Sequence, residues 1–152
     1  METVQIENRQ ASRKIDLPKL EKVAQRILSV LACPDALLSV VLVDDVEIRE
    51  LNLRYLERDW ATNVISFPMQ EGEWGGLNPF LLGDVVISVD TAFRDATEGG
   101  VSLESELYFL LIHGILHLTG YNHENVGEEE TRRMEAKETE LFTLIKKEFS
   151  GE

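Results

Sequence analysis

All three histidines of this chain lie in one short stretch, "HGILHLTGYNH", which runs from His113 to His123. The stretch continues an apolar run that starts at Leu107, and this pattern predicts a largely buried helix over Leu103–Leu118. On such a helix His113 and His117 stand at i and i+4 and project from the same face. The fold must therefore contain a central helix that brings two imidazoles to one point.

A glycine turn gives the third histidine access to the same point. Gly120 follows the predicted helix and suits the left-handed conformation that ends many helices, so the next residues can bring His123 back towards His113 and His117. Neutral imidazole is a good zinc ligand, and a three-histidine site keeps its fourth position for water or substrate. The spacing therefore predicts one Zn²⁺ per chain on these histidines. The alternative is two hydrogen-bonded core histidines and one loop histidine.

Gly114 separates this pattern from that of the metallopeptidases. The motif H-E-x-x-H carries its general-base glutamate at this position, although the longer spacing H-x-x-x-H-x-x-G-x-x-H is similar to that of the metzincins. A peptidase would need another base. A glycine inside a helix costs about 0.5–1 kcal/mol relative to alanine, so it needs a local reason. Gly114 either keeps the wall beside the metal open or allows close helix packing.

Strands and helices alternate along the rest of the chain. Strands are predicted at "TVQIEN", "LLSVVLVD", "TNVISFP" and "GDVVIS", and the segment "QEGEWGGLNPF" is predicted to be a loop. The predicted helices are Leu17–Ala32 capped by Asp16, Val46–Leu56 with a capping box of Asp44 and Glu47, a helix capped by Asp90 that runs through Thr97 and is ended by Gly99 and Gly100, Leu103–Leu118 capped by Ser102, and Glu128–Phe149. This order favours an α+β fold in which a small mixed β-sheet packs with helices.

Length and charge limit the classes of function. A chain of 152 residues is predicted to form a single domain, residues 1–152, and its net charge of -13 counts against simple nucleic-acid binding. A locally basic face remains open, because six cations lie in the first quarter: Arg9, Arg13, Lys14, Lys19, Lys22 and Arg26. The lone Cys33, the polar N-terminus and the lack of a membrane-length apolar run predict a cytoplasmic protein without a membrane partner.

Three motifs in the chain resemble those of the YbeY family of bacterial rRNA maturation factors. "HGILHLTGYNH" resembles the family's H-G-x-L-H-L-x-G-Y-D-H signature. "NLRYLERDWATNVISFP" is similar to N-x-x-Y-R-x-x-D-x-P-T-D-V-L-S-F-P, and "LLGDVVIS" is similar to L-G-D-I-x-I-S. The motifs follow in the family's order and span Asn52 to His123.

The resemblance implies a small α+β fold and a zinc-type ion on His113, His117 and His123. It also implies a single-strand-specific endoribonuclease that acts in 16S rRNA maturation and ribosome quality control. Its partners would be single-stranded rRNA and the small ribosomal subunit or its proteins. A metal ion with three neutral ligands keeps its charge for activating water and phosphate, and both direct attack on phosphorus and deprotonation of the ribose 2′-OH remain open.

The chain departs from the family pattern at the arginine that follows the tyrosine, where it has Leu56. Arginine offers a planar fork of donors to phosphate, and leucine offers none. We hypothesise that Arg58 supplies the catalytic cation, because it lies past the predicted helix end where its side chain can turn inward. Arg54 is the other candidate for this cation, and a solvated Arg58 without a catalytic role is the alternative interpretation.

Two further departures replace family aspartates with asparagines. Asn122 keeps the size of aspartate but loses the charge that would orient a ligating histidine, which predicts a weaker set of supporting contacts or a different orienting group. Asn63 is also explained as a turn residue at the start of a strand. Ser66, Asp84 and Ser88 occupy motif positions, and hydrogen bonding at strand ends explains each of them equally well.

Two functions of other classes remain open beside the endoribonuclease. One is a non-catalytic ribosome-assembly factor with a structural zinc ion, which the departures at Leu56 and Asn122 keep in consideration. The other is a metallopeptidase, against which Gly114 weighs.

Overall fold

A computed structural model of the chain describes residues 3–69, 81–120 and 127–149. Its elements are β1 (Val4–Asn8), α1 (Leu17–Val30), β2 (Leu37–Val43), α2 (Asp45–Leu56), β3 (Val64–Pro68), β4 (Leu81–Ser88), α3 (Val89–Gly99), α4 (Leu103–Leu118) and α5 (Glu128–Phe149). The described strands form one sheet in the order β1-β2-β4-β3, with β1, β2 and β4 parallel and β3 antiparallel to β4. The predicted α+β fold with a small mixed sheet is confirmed.

The helices cover the two faces of the sheet unequally. On one face α1 lies against β1, and α4 lies against β3 and β4, while α5 packs over α1 and α4 from outside. On the other face α2 lies against β4. Successive strand residues enter opposite cores, since Val85 belongs to the large core and Val86 to the small core below α2. The central position of α4 follows from its composition, because an apolar helix is stable only when it is buried on most sides.

Three predicted N-caps are present. Asp16, Asp44 and Ser102 each accept a hydrogen bond from the backbone N–H three residues further on, at 3.2, 2.9 and 3.0 Å. The predicted capping box at the start of α2 is only half formed, because the Glu47 carboxylate pairs with Arg9. The cap on Asp44 therefore acts without the reciprocal hydrogen bond from the backbone N–H of Asp44 to the Glu47 carboxylate.

The predicted cap of α3 is wrong. Ser88 caps this helix, since its Oγ accepts from the N–H of Thr91 at 3.3 Å, and Asp90 lies inside the first turn. The Asp90 carboxylate instead accepts from the backbone N–H of Asp45 at 3.0 Å, where it joins the starts of α2 and α3. Two cap-forming residue types stand close together here, and Ser88, at the end of β4, has the extended backbone that an N-cap needs.

Several predicted boundaries shift by a few residues. Helix α1 ends at Val30 and not at Ala32, because Ala32 is in the left-handed region with φ of 63°. Strand β3 starts at Val64, and β4 starts at Leu81, before the predicted "GDVVIS" segment. The predicted loop over residues 70–80 lies outside the described residues.

Within the described part of the chain, no single helix is long and apolar enough to cross a membrane. The pair α3 and α4 passes the same test of length and composition only when taken together, with a bend of 114° between them. Cys33 is partly buried against the large core, and this burial raises the pKa of its thiol. Cys33 thus packs against the core from its edge.

Candidate metal centre

Helix α4 fixes both of the predicted ligands that the structure describes. Ten of its sixteen residues are buried: Ser105, Leu107, Tyr108, Leu110, Leu111, Ile112, Gly114, Ile115, Leu116 and Leu118. Packing on several sides leaves the helix little freedom to rotate, and it therefore holds the backbone of His113 and His117 in one position. These two histidines are only half-buried, so the rings stand on the part of the helix that solvent reaches.

The two imidazoles meet through the same nitrogen of each ring. Nε2 of His113 and Nε2 of His117 are 3.0 Å apart, with ring centroids at 4.6 Å and planes inclined by 73°. Two nitrogens bound to one tetrahedral zinc ion at about 2.0–2.1 Å lie about 3.3 Å apart. The pair therefore needs only a small adjustment to hold a common ion, and the residues present fit a zinc-type metal.

The other nitrogen of His113 contacts a carboxylate that the sequence analysis missed. Nδ1 of His113 lies 3.1 Å from Oε1 of Glu138, and Glu138 is buried with 7% of its surface exposed. The available signal was the position of Glu138 on α5, in the same buried stripe as Met134, Leu141 and Ile145. A carboxylate at a core position of an amphipathic helix needs a partner inside the fold.

The third predicted ligand lies outside the described residues. Thr119 caps α4, and Gly120 follows with φ of 106°, which is the positive-φ turn expected after the helix. Residues 121–126, and with them His123 and Asn122, are not described. Within the ranges that are described, no group of three metal-ligating side chains occurs. The three-histidine centre therefore stays a prediction, of which two ligands are placed together.

The structure explains Gly114 by close packing of α4 on the sheet. A Cβ at this position would lie 2.7 and 3.0 Å from the two Cγ atoms of Val85 and 3.2 Å from Oγ of Ser66. Such distances force a neighbour to move, so only glycine fits without adjustment. The same contacts leave no room for the glutamate of H-E-x-x-H. Of the two explanations considered for Gly114, helix packing is sufficient.

Hydrogen bonds within the fold account for three other motif residues. Ser66 donates to the carbonyl of Gly114 at 3.0 Å and thereby ties β3 to α4 beside the histidines. Ser88 donates to Asp45 at 2.6 Å. Asn63 donates to Asp95 at 3.2 Å, and its own carbonyl accepts from the N–H of Ser88 at 2.9 Å. Asn63 thus joins the start of β3 to the neighbouring segments, as a structural asparagine would.

Arg58 lies on a short loop that a buried asparagine holds. Asn52, 1% exposed, donates from its side-chain Nδ2 to the carbonyl of Trp60 at 2.9 Å, and its backbone carbonyl accepts from the N–H of Arg58 at 3.2 Å. The loop begins at Glu57, whose left-handed conformation ends α2. Sequence analysis did not assign a role to Asn52. Its uncommon burial fits this role, because a buried amide must be hydrogen-bonded.

Most arginines described in the structure are neutralised by a neighbouring acid, but Arg54 and Arg58 are not. Ion pairs or charged hydrogen bonds hold Arg9, Arg26, Arg49, Arg94, Arg132 and Arg133, and Arg13 stacks on Phe93. Lys19 pairs with Glu104. Of the six cations considered for a basic face in the first quarter of the chain, three are therefore paired with acids: Arg9, Lys19 and Arg26. Arg54 and Arg58 are exposed and form no ion pair with another described residue.

Comparisons with known proteins show the family to which the chain belongs. A sequence model described as Endoribonuclease YbeY matches residues 5–146. The chain is 62% identical over 149 residues to the Endoribonuclease YbeY of Syntrophotalea carbinolica, covering 98% of this chain and 99% of the relative. Identity to the Endoribonuclease YbeY of Geobacter metallireducens is 60% over 145 residues, covering 95% and 97%.

A more distant member carries the same name, and one solved structure shares the fold. The Endoribonuclease YbeY of Aquifex aeolicus is 51% identical over 134 residues, covering 88% of this chain and 87% of that protein. The solution structure of TM1509 from Thermotoga maritima matches with a TM-score of 0.67 at 24% identity, covering 97% of this chain and 92% of that chain. Because the family model and these relatives each match most of the sequence, the chain belongs to the endoribonuclease YbeY family.

Proposed function

We propose that this protein is a zinc-dependent, single-strand-specific endoribonuclease of the cytoplasm that acts in 16S rRNA maturation and ribosome quality control. The observation that carries the proposal is the 3.0 Å approach of Nε2 of His113 to Nε2 of His117 in a member of the endoribonuclease YbeY family. A zinc ion held by these atoms and His123 would supply Lewis acidity and activation of water. The side chains of the protein would supply the other contributions to the reaction, which are positioning of the metal ligands and binding of the RNA phosphate.

The histidines would bind the metal through their Nε2 atoms, which the fold turns towards each other. When Nδ1 of His113 donates to Glu138, its Nε2 carries the lone pair that a metal requires. His117 presents its Nε2 to the same point. The hydrogen bond from Ser66 to the Gly114 carbonyl keeps the segment between them against β3. The ligands are thus positioned before any substrate arrives.

Arg58 is proposed as the cation that binds an RNA phosphate. Its guanidinium has no acidic partner among the described residues, and the Asn52 contacts hold its loop. The end of α2 is joined to β3 by the edge-to-face contact of Tyr55 with Phe67, at 5.4 Å between ring centroids. Since β3 in turn contacts α4 beside the histidines, the loop and the metal ligands belong to one connected framework.

The charge of the molecule favours a ribosomal partner. A net charge of -13 repels a polyanion, and most of the described arginines are already paired with acids. Few phosphate contacts then remain to supply affinity for RNA alone. We propose that docking to the small ribosomal subunit or one of its proteins supplies the remaining affinity for single-stranded rRNA. No membrane partner is part of the proposal.

Cleavage of single-stranded and duplex rRNA fragments by zinc-loaded protein tests the function. Wild type is expected to cut the single strands, and His117→Ala is expected to lose both zinc and cleavage. Zinc binding without cleavage, both alone and with small subunits, would leave a non-catalytic assembly factor. Casein hydrolysis by the same preparation would indicate a peptidase.

A pair of arginine variants tests the cation. Arg58→Ala is expected to lower the cleavage rate while zinc content stays at the wild-type level. Arg54→Ala removes the same charge from the preceding helix and serves as the matched control. An unchanged rate in Arg58→Ala would remove this residue from the mechanism, and a loss confined to Arg54→Ala would transfer the role to Arg54.

A further inference from the structure

We infer that Glu138 is the positioning residue of the metal centre, which sets the tautomer and orientation of His113 from the last helix. The inference rests on the proposed metal site and adds a residue to it that lies outside the histidine motif. It begins from one contact, the 3.1 Å approach of Glu138 Oε1 to Nδ1 of His113. A carboxylate accepts hydrogen bonds and an imidazole nitrogen can donate one, so this contact places the proton on Nδ1.

The position of that proton decides what the ring can bind. A neutral imidazole carries one N–H and one lone pair, and the hydrogen bond of one nitrogen fixes which atom is left for a metal. With the proton on Nδ1, Nε2 of His113 carries the lone pair that a metal would use, and this atom lies 3.0 Å from Nε2 of His117. With this tautomer of His113, its Nδ1 donates to Glu138, and its Nε2 can accept from Nε2 of His117 or bind a metal.

Burial makes the contact difficult to replace by water. The side chain of Glu138 is 9% exposed and that of His113 is 22% exposed. No lysine or arginine of the described residues pairs with this carboxylate. A buried carboxylate without a cation is costly. A metal ion on the far side of the His113 ring would supply the compensating positive charge, since a negative group beside a ligating imidazole strengthens it as a donor.

The fold places Glu138 by the same packing that forms the core. Its neighbours in the buried stripe of α5 are Met134 and Leu141, and both belong to the large core that contains Leu111 and Ile115 of α4. Helix α5 is therefore held against α4 by apolar contacts on either side of the carboxylate. Glu138 is therefore also a different orienting group of the kind that the sequence predicted, because Asn122 stands where the family has an aspartate.

Zinc affinity measured against a chromophoric chelator tests the inference in the full chain. Glu138→Met removes the acceptor at similar volume and is expected to weaken zinc binding by about 10- to 100-fold. Glu138→Gln keeps an acceptor oxygen without the charge, and its zinc affinity is expected to lie between those of wild type and Glu138→Met. Glu135→Gln, an exposed residue one turn earlier on α5, is the matched control and is expected to keep wild-type affinity. Thermal unfolding of each variant verifies the fold.

A second readout requires no metal. Two-bond ¹H–¹⁵N spectra of the histidine rings in metal-free protein are expected to show the Nδ1–H tautomer of His113 in wild type and mixed tautomers in Glu138→Met. Wild-type zinc affinity in Glu138→Met, or an Nε2–H tautomer of His113 in wild type, would overturn the inference. Failure of wild type to bind zinc would instead contradict the proposed function, and the spectra would still decide the role of Glu138.

Discussion

Two polar clusters of this protein join distant segments, and they differ in whether their polar atoms serve only the fold or can also bind a ligand. In the aspartate cluster, Asp45 accepts hydrogen bonds from Ser88, Thr91 and Arg94 at 2.6, 2.6 and 2.7 Å. In the histidine cluster, His113, His117 and Glu138 form a chain in which two ring nitrogens point at one location. The Asp45 carboxylate binds donors of the chain itself, whereas the histidine cluster presents two nitrogen atoms that are suited to binding a cation.

The difference separates structural from functional use of motif residues. Ser88 lies in a segment similar to the family's L-G-D-I-x-I-S motif, yet its hydroxyl caps α3 and binds Asp45, so it is fully used within the fold. His113 and His117 lie in the histidine motif and are held by an otherwise apolar helix. A motif residue is thus a better candidate for chemistry when rigid neighbours orient it and its reactive atom faces another reactive atom.

Removing the aspartate cluster should have the largest effect on stability. Asp45→Ala leaves two hydroxyl groups and one guanidinium without their acceptor, and hydrogen bonds to a charged group contribute about 1.5–3 kcal/mol each when well buried. Because Asp45 is partly exposed, we expect a loss of about 2–3 kcal/mol in the free energy of unfolding, measured by urea denaturation. Zinc content should stay at the wild-type value. Loss of zinc in a folded Asp45→Ala protein would contradict the separation of the two clusters.

Adding one methyl group at Gly114 should have a smaller effect. The new Cβ of Gly114→Ala would collide with Val85, which costs about 1–3 kcal/mol, and the better helix propensity of alanine offsets about 1 kcal/mol of this. We expect a net loss of about 0–2 kcal/mol in the free energy of unfolding. In a Val85→Ala background, the same Gly114→Ala change should cost less than it does in wild type, because the Val85 methyl groups are gone. Additive losses would show that Val85 is not the obstacle.

The smallest expected effect is on how the free energy of unfolding depends on pH in the acid range. Burial would raise the pKa of Asp45, but the hydrogen bonds from Ser88, Thr91 and Arg94 outweigh it and lower the pKa. A lowered pKa in the folded state contributes stability above the unfolded value of about 3.9, and this contribution is lost as pH falls through the folded value. The stability difference between wild type and Asp45→Asn should therefore be constant near neutral pH and shrink below about pH 4.

An exposed aspartate provides the control for the acid series. Asp35→Asn changes the same charge at a solvated position and should give a small difference at every pH. Urea denaturation of the three proteins across the pH series measures both differences. A difference for Asp45→Asn that grows as the pH is lowered would show that the carboxylate is not stabilised in its charged form.

Local rules predicted the parts of the site that depend on one helix. The spacing of His113 and His117 placed two rings on one face, because helix geometry fixes the i, i+4 relation without knowledge of the rest of the fold. Composition likewise located the caps of α1, α2 and α4. Asp90 was assigned as a cap in place of Ser88 because both residue types suit that position, and only the end of β4 decides between them.

Tertiary contacts decided what local rules could not. Glu138 meets His113 from another helix, so no spacing within the histidine motif could reveal it. The need for glycine at position 114 likewise became clear only from the position of Val85 on β4. Asn52 gained a role only when the loop of Arg58 was seen to close on it. Each of these contacts joins segments whose proximity the sequence alone does not display.

X-ray absorption at the zinc edge tests the central claim most directly. The zinc-loaded full chain is expected to show a first shell containing three imidazole nitrogens at about 2.0–2.1 Å, and His117→Ala should lose this shell together with the bound metal. A sulfur neighbour at about 2.3 Å, which would indicate Cys33, or a spectrum that His117→Ala leaves unchanged, would contradict the three-histidine centre.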